Sequence, residues 1–548
     1  GDVCPDYAGQ APARLVSLLG DVGVVYGHLS LPRSARDNLP SIDNSWKGFL
    51  GQQDQTAPAP VAVEDFPVPA AGRRGSWIDR LQRIINGIAA DAAPTLSYAH
   101  LETPHVPWQV NPSGTHYDRP EQYTEVDGVD GSGKWILDPR YARLGLQRHL
   151  YQLGFFDAML GSLLDELEAT GTWDDTMVIL TADHGASFVP GEHRRWPYEN
   201  NRDDLYRVPM FVKYPDQTTG EVRDEPAFNT DLLPTIVDVL DIDTDWTFDG
   251  ISLLDLAGTD RPHEVIHWCC SSQGASTDLA VLFDQVARNH EWIPDQSTWL
   301  GVAAVGPHRD LVGRPSSELT VTPTEELRWS FEYDDGLSTV SIDTGIVQTL
   351  VTGRIDLPAA VAGDDLLVTV NGVVAGTGFV ARDTPTGGEF RALVAEELLT
   401  EGANEVAILV PAPNGNGWLT GAADDLDVEY VADDGHVLDL KPEGNRRVQV
   451  DRVTATSTGW TLVGWGADVS AKVPPDRVYV FAGDDLIAFG APNTDNPNVV
   501  RWYSSDALLR SGFSYDIDAA SVPAGVERLT VVAEFGDYAI GEQAVLTE

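Results

Sequence analysis

Lysine is almost missing from this chain. Among 548 residues it stands only at Lys47, Lys134, Lys213, Lys441 and Lys472, and arginine supplies the rest of the 36 positive charges. Against 84 Asp and Glu, the formal net charge is −48. A field of that sign repels phosphate backbones and anionic lipid surfaces, so a nucleic-acid protein is disfavoured. No apolar run approaches the ~18 residues needed to cross a bilayer, so no membrane segment is expected in this chain. Cysteine is scarce as well. Cys4, Cys269 and Cys270 are odd in number, which leaves at least one thiol free or paired elsewhere. No C-x-x-C pair exists for a zinc knuckle, and an adjacent pair such as Cys269-Cys270 rarely closes on itself. The opening, Gly1-Asp2-Val3-Cys4-Pro5, has no initiator Met and neither the basic nor the apolar part of a signal peptide.

What is present suffices for packed cores: 42% of residues are hydrophobic and 9% aromatic, which disfavours a disordered acidic chain. The length suggests roughly two to four domains. Residues 1–260 alternate helical and strand patterns, the mark of an α/β unit. Pro94–His100 reads as a short buried strand, and Ala57–Pro69 as an exposed Pro/Ala loop. Residues 141–170 carry apolar side chains at helical spacing (Leu146, Leu150, Leu153, Phe156, Leu160, Leu163, Leu164, Leu167), and Gly171 stops that helix. Thr176–Ala182 is a continuous apolar run of the kind found in a central parallel strand. Val208–Val212 is a further strand, and Thr230 caps a helix reaching Leu240. Residues 261–345 form a connecting region of mixed pattern. Residues 346–432 and 433–548 read as two β-sandwiches, with an Asn371-Gly372 hairpin in the first. Trp418, Trp460, Trp465 and Trp502 suit either core packing or a sugar platform.

Three clusters could carry chemistry. In Thr181-Ala182-Asp183-His184-Gly185 an apolar strand runs out into a carboxylate, an imidazole and a glycine. Ligands of open α/β sheets sit beyond such strand ends, and an oxygen with a nitrogen suits Zn or Mn and can serve Ca or Mg. The same residues could instead be a capping Asp beside a satisfied His. In His100-Leu101-Glu102-Thr103-Pro104-His105-Val106-Pro107-Trp108, two prolines stiffen the chain around His105, which suits proton transfer or oxyanion binding, or simply a surface turn. Gly191-Glu192-His193-Arg194-Arg195 is a basic island in an acidic chain, suited to sulfate or phosphate or to local charge balance.

Taken in order, these clusters resemble the sulfatase-like branch of the alkaline phosphatase superfamily over roughly residues 95–255. The likeness rests on His105-x-Pro107-Trp108, a long helix bearing Asp157, Thr181–Gly185, Gly191-Glu192-His193, Arg207-Val208-Pro209 and Thr230–Thr235. It implies an alkaline-phosphatase-like α/β sandwich with a mainly parallel central sheet, followed by one or two all-β sandwich domains. It also implies a metal-dependent hydrolase of sulfate esters. Asp183 and His184 would hold a divalent metal (Ca, Mn or Zn). His105 and His193 would be catalytic, and His105, Arg194 and Arg195 would bind substrate. The 346–432 stretch resembles galactose-binding-like jelly rolls, through its Val-Asn-Gly hairpin and the Leu399, Gly402, Asn404, Val406 pattern; the last domain looks Ig-like.

Two departures stand out. Cys4-Pro5-Asp6-Tyr7-Ala8 is not the C-x-P-x-R nucleophile signature, and Pro197-Tyr198 stand where the family carries Gly-Lys. The nucleophile and further ligands are therefore expected upstream of Gly1. Alternatives are a phosphotransferase or phosphodiesterase of the lipoteichoic-acid-synthase type, and a catalytically incomplete protein that binds envelope polymers or glycans. The expected partner is a sulfate or phosphate ester, including polysaccharide or envelope polymer. The expected location is extracytoplasmic, secreted or anchored through a segment not present here.

Overall fold

A computed structural model describes residues 77–89, 95–117, 127–130, 133–198, 200–257, 259, 267–268, 271–272, 280–332, 337, 339–361, 363–424, 426, 430–438, 440, 446–536 and 538–546. Two compact units separate at residue 102. In the first, Trp77–Asn86 is a helix (α1) that buries Leu81 and Ile85. The strand expected at 94–100 is not formed over its described part: residues 95–100 take no strand conformation, and Leu96 and Tyr98 are 80% and 82% exposed. Apolar content without a neighbouring strand does not make a ladder. Cys4, Cys269, Cys270 and the Ala57–Pro69 loop lie outside the described residues.

The second unit, residues 103–548, is organised around a 31-residue helix, Pro139–Ala169 (α2). Asp138 caps it by accepting from the Arg140 amide, Pro139 occupies the first turn, and Gly171 takes φ +72° just beyond its end. Its deeply buried face is Tyr141, Leu144, Arg148, Tyr151, Phe155 and Met159, whereas Leu153, one of the expected stripe, is exposed. The leucine periodicity located the helix and misjudged its face, because aromatic residues and an arginine take the inner positions. Gly145 lets other chains approach: a Cβ there would lie 2.3 Å from the Trp135 ring and 3.2 Å from Trp108.

After α2 comes Val178–Thr181 (β1), whose one neighbour among the described residues is Met210–Lys213 (β2), in antiparallel register with Thr181 opposite Met210. The parallel neighbour expected for a central strand is not among the described residues, and all four β1 side chains are half-buried. Arg202–Tyr206 (α3) lies between the two strands. The helix near 230 starts as a 3-10 turn over Asn229–Asp231 and continues as Leu232–Val239 (α4); Asp231, not Thr230, stands at its N-cap.

Regular elements continue through the stretch expected to be connecting. Ala280–Trp292 and Trp299–Ala303 are helices, and Val321–Phe331 (β3) is a barrel strand well upstream of residue 346. With Leu350–Asp356 (β4), Asp365–Val370 (β5), Val373–Thr384 (β6), Gly387–Leu393 (β7), Val406–Pro411 (β8) and Trp418–Ala423 (β9), it closes a barrel in the order β7-β4-β3-β9-β8-β5-β6. Only the β9–β3 pair is parallel. Asn371 and Gly372 both take positive φ, 51° and 77°, as the tight turn between β5 and β6 requires.

The last stretch stacks a three-stranded sheet (Arg446–Ala455, Gly459–Asp468, Gly512–Asp518) on a four-stranded one (Arg477–Ala482, Asp485–Gly490, Arg528–Phe535, Tyr538–Val545). Leu462 and Phe513 of one sheet share a core with Val480 and Val531 of the other. Trp418 and Trp465 are buried at 8% and 3% exposure, which leaves Trp502 as the exposed member of the tryptophan set.

The long helix binds these parts together. Tyr141, Leu144 and Tyr151 pack with Leu350, Phe379 and Leu393 of the barrel. Arg140 reaches Glu527 of the sandwich at 2.9 Å, and Glu389 of the barrel pairs with Arg528 at 2.8 Å. Substituting Gly145→Ala is expected to force the tryptophans away from α2 and cost about 1–3 kcal/mol. Gly161→Ala, on the same helix with nothing within 4 Å of its Cβ, serves as the control. Thermal melts of the two variants check this: equal midpoints would contradict the packing described.

Candidate functional site

The site is built on an aromatic block. Trp108 lies 5.7 Å from Phe188 and 6.5 Å from Trp135, ring centre to ring centre, and Phe188 lies 5.9 Å from Trp135. Each indole N–H is spent on a neighbouring loop: Trp108 Nε1 donates to the Pro104 carbonyl (2.9 Å) and Trp135 Nε1 to the Ser187 carbonyl (2.7 Å). The chain around His105 and the chain after His184 are therefore fastened to one apolar support. His149 of α2 edges onto Trp108 at 5.8 Å, and burial pushes its ring down to about 4, so it is a neutral packing element at neutral pH.

Polar residues of α2 finish the placement. Gln152, 4% exposed, donates to the His105 carbonyl (2.8 Å) and accepts from the Gln109 amide (3.1 Å). Arg148, 2% exposed, donates to the Trp108 carbonyl (2.9 Å) and to the Tyr117 hydroxyl (3.1 Å). At the end of β1, Asn229 donates to the Ala182 carbonyl (2.9 Å) while accepting from Thr181 (3.0 Å). Gly185 then passes so close to α3 that a Cβ would sit 1.9 Å from the Asp204 carbonyl oxygen.

On this frame, Asp183 and His184 project into the open. The Asp183 side chain is 76% exposed and that of His184 34%. Asp183 Oδ1 accepts from the His184 amide (2.9 Å), and Oδ2 lies 3.9 Å from His184 Nε2. His184 Nδ1 faces the Gly185 carbonyl at 2.7 Å and His105 Nδ1 faces the Val106 carbonyl at 2.5 Å. In both rings the proton is thus held at Nδ1, which leaves Nε2 as an acceptor. Both acceptors meet one cation: Arg195 donates to His105 Nε2 (2.7 Å) and to His184 Nε2 (2.9 Å). Burial lowers the pKa of His105, and the charges of Arg195 and Arg194 lower it further against the Val106 carbonyl.

The 193–201 loop aims that arginine. His193 Nδ1 accepts from the amides of Arg195 (3.0 Å) and Trp196 (2.8 Å), so this nitrogen shapes the loop. Asn201, fully buried, donates to the carbonyls of His193 (2.6 Å) and Trp196 (2.9 Å) and accepts from the Tyr198 amide (2.6 Å). Arg194 turns inward. Its Nε is enclosed with no hydrogen-bond partner among the described residues, and burial beside Arg195 brings its pKa down to about 10. Asp157 is exposed on α2, and no hydrogen bond joins it to the cluster among the described residues.

Of the residues expected from sequence, the structure brings His105, Asp183, His184 and Arg195 together and leaves His193 and Arg194 in the loop that carries Arg195. Gln152, Asn201 and Asp204 were not anticipated. A glutamine among the apolar positions of α2 was a usable signal; Asn201, inside a run of polar residues, offered none. As a test for a metal, Asp183 Oδ2 and His184 Nε2 form a mixed O/N pair on one side of the site, with the histidine in the tautomer that ligation needs. They fit as two ligands of one cation. Among the described residues, no group of three or more His, Cys, Asp or Glu side chains is gathered for a metal.

Asp204 Oδ2 accepts from Ser187 (2.8 Å), and burial pushes its carboxyl up to about 6, with Asp203 adding to the rise and Ser187 and Arg288 opposing it. A carboxyl whose folded pKa is raised keeps its proton longer in the native state, so native stability falls as pH climbs from about 4 to about 6. Asp204→Asn removes this dependence. Its melting temperature, relative to the unsubstituted protein, is expected to be higher at pH 8 than at pH 4.5. A difference that does not change with pH would contradict the buried carboxyl.

The Sulfatase family model matches residues 51–242. Over 166 residues, 30% of this chain and 32% of the relative, the sequence is 28% identical to a multifunctional alkaline phosphatase superfamily protein of Trinickia caryophylli. Over 183 residues, 32% of this chain and 34% of the relative, it is 26% identical to an ulvan-active sulfatase of Formosa agariphila. Over 238 residues, 40% of this chain and 18% of the relative, it is 28% identical to an extracellular sulfatase homologue of Drosophila melanogaster. The chain thus spans about a third or less of these relatives' lengths. The motifs at His105–Trp108, Thr181–Gly185 and Gly191–His193 all fall inside the stretch, residues 51–242, that matches the Sulfatase family model of the alkaline phosphatase superfamily.

Proposed function

We propose that this protein is a metal-dependent hydrolase of sulfate esters, working outside the cytoplasm on sulfated polysaccharide or a related envelope polymer. The observation that carries the reading is the convergence of Asp183, His184, His105 and Arg195 where β1 ends. The relatives named as sulfatases support the sulfuryl chemistry, and the one named ulvan-active supports a polymeric substrate. The acidic, lysine-poor composition suits an exposed, solvated enzyme.

In this reading Asp183 and His184 hold a divalent cation (Ca, Mn or Zn), which when bound polarises an ester oxygen. Arg195 offers a planar fork of donors to the sulfuryl oxygens, and Arg194 adds positive charge behind it. His105 is kept neutral by burial and its cationic neighbours, with its proton fixed on Nδ1. Once Arg195 turns from it to the sulfuryl oxygens, its Nε2 is suited to taking a proton from an attacking hydroxyl group. The net change is cleavage of a sulfate monoester by water into an alcohol and hydrogen sulfate. The domain division at 1–260, 261–345, 346–432 and 433–548 is proposed with one amendment: the barrel strand Val321–Phe331 belongs to the 346–432 unit.

A second reading, phosphotransfer or phosphodiester turnover at the same residues, is favoured by the likeness to a relative named a multifunctional alkaline phosphatase superfamily protein. Both readings are tested with 4-nitrophenyl sulfate and bis(4-nitrophenyl) phosphate as parallel substrates, together with elemental analysis for metal. The expected result is metal-dependent release of nitrophenol from the sulfate. Asp183→Ala should lose the bound metal and the turnover, and His105→Ala should lower kcat by about 10²–10⁴-fold with the metal retained. Unchanged metal content in Asp183→Ala would overturn the ligand assignment; turnover of the phosphate ester alone would favour the second reading.

A further inference from the structure

We infer that Arg195 is the resident cation of this site and that its guanidinium and a divalent metal ion compete for the same lone pair, that of His184 Nε2. The inference rests on the proposed role of Asp183 and His184 as metal ligands and adds to it a device that sets how tightly the metal is held. A neutral imidazole has one in-plane lone pair. In His184 the other nitrogen faces the Gly185 carbonyl at 2.7 Å, so Nε2 carries that pair. The Arg195 guanidinium already uses it at 2.9 Å. A metal ligated by His at about 2.0–2.1 Å needs the same pair.

The carboxylate sharpens the conflict. Asp183 Oδ2 is 3.9 Å from His184 Nε2, so an ion shared by the two would lie close beside the guanidinium. Two like-charged groups at that range disfavour each other, and one must leave. Arg195 is the one built to leave. Its side chain is exposed, and among the described residues its guanidinium hydrogen bonds go to the two imidazoles alone. Its main chain stays fixed, because the Arg195 amide donates to His193 Nδ1 at 3.0 Å and Asn201 holds the loop on either side. An Arg195 displaced from His184 would remain tethered beside the site, with the donor it spent there available to a sulfuryl oxyanion. The Arg195 bond to His184 Nε2 would thus weaken metal binding, and an arginine freed from that bond would be the one that meets the oxyanion.

Calorimetric titration of manganese(II) chloride into the metal-stripped full chain tests this, with the unsubstituted protein, Arg195→Ala and Asp183→Ala compared. The expected result is a Kd for Mn²⁺ about tenfold or more lower in Arg195→Ala than in the unsubstituted protein, within the ordinary range of coupling between two ligands of one site. Asp183→Ala is expected to bind more weakly than either. Equal or weaker binding by Arg195→Ala, with binding still lost in Asp183→Ala, overturns the competition and leaves the ligand assignment standing. Absence of Mn²⁺ uptake in both the unsubstituted protein and Arg195→Ala overturns the ligand assignment and the competition with it.

Discussion

Two imidazoles distant in sequence present the same ring nitrogen to one guanidinium, and most of the surrounding architecture serves to make that possible. Each ring has its proton fixed at Nδ1 by a backbone carbonyl one residue away, Val106 for His105 and Gly185 for His184. The tautomers are therefore set locally, by the turn each histidine occupies. Their meeting is set globally, by the aromatic block under both loops and by Gln152 and Arg148 reaching up from the long helix. Small misplacement of either loop would leave Arg195 with one partner instead of two.

Charge explains why such a cluster can exist in this protein. The chain carries −48 overall, yet His105, His184, His193, Arg194 and Arg195 gather within one neighbourhood. The two arginines are neighbours in sequence, and one is turned inward with its pKa lowered to about 10. Among the described residues no carboxylate is hydrogen-bonded to either guanidinium, and holding two of them together in that way costs free energy. An anionic ligand returns that cost on binding, which is the physical reason to read the cluster as an oxyanion site.

The sequence made parts of this legible and hid others. Thr181–Gly185 stood out as a candidate because an apolar strand runs out into Asp-His-Gly, and His105 because prolines flank it; the structure brings the two histidines onto one arginine. The long helix was readable from its leucine spacing, but its inner face was not: Tyr141, Tyr151 and Arg148 take the buried positions while Leu153 is exposed. Periodicity reports that a face exists, and only packing decides which face wins. The apolar run at 176–182 suggested a central parallel strand, whereas its described neighbour is antiparallel. Strand direction depends on partners far along the chain, which a local pattern does not encode. The barrel strand Val321–Phe331 was missed because its outer positions are polar and exposed, so it lacks the continuous apolar run of its neighbours. Asn201 and Asp204 act through backbone groups of other segments, and neither leaves a spacing signature.

The position of a bound cation tests the site most directly. A crystal of the full chain soaked in manganese(II) and measured at the manganese absorption edge should show one anomalous peak within bonding distance of Asp183 Oδ2 and His184 Nε2, with the Arg195 guanidinium moved off His184. A peak elsewhere, or a metal bound there while Arg195 still bridges both imidazoles, would contradict it.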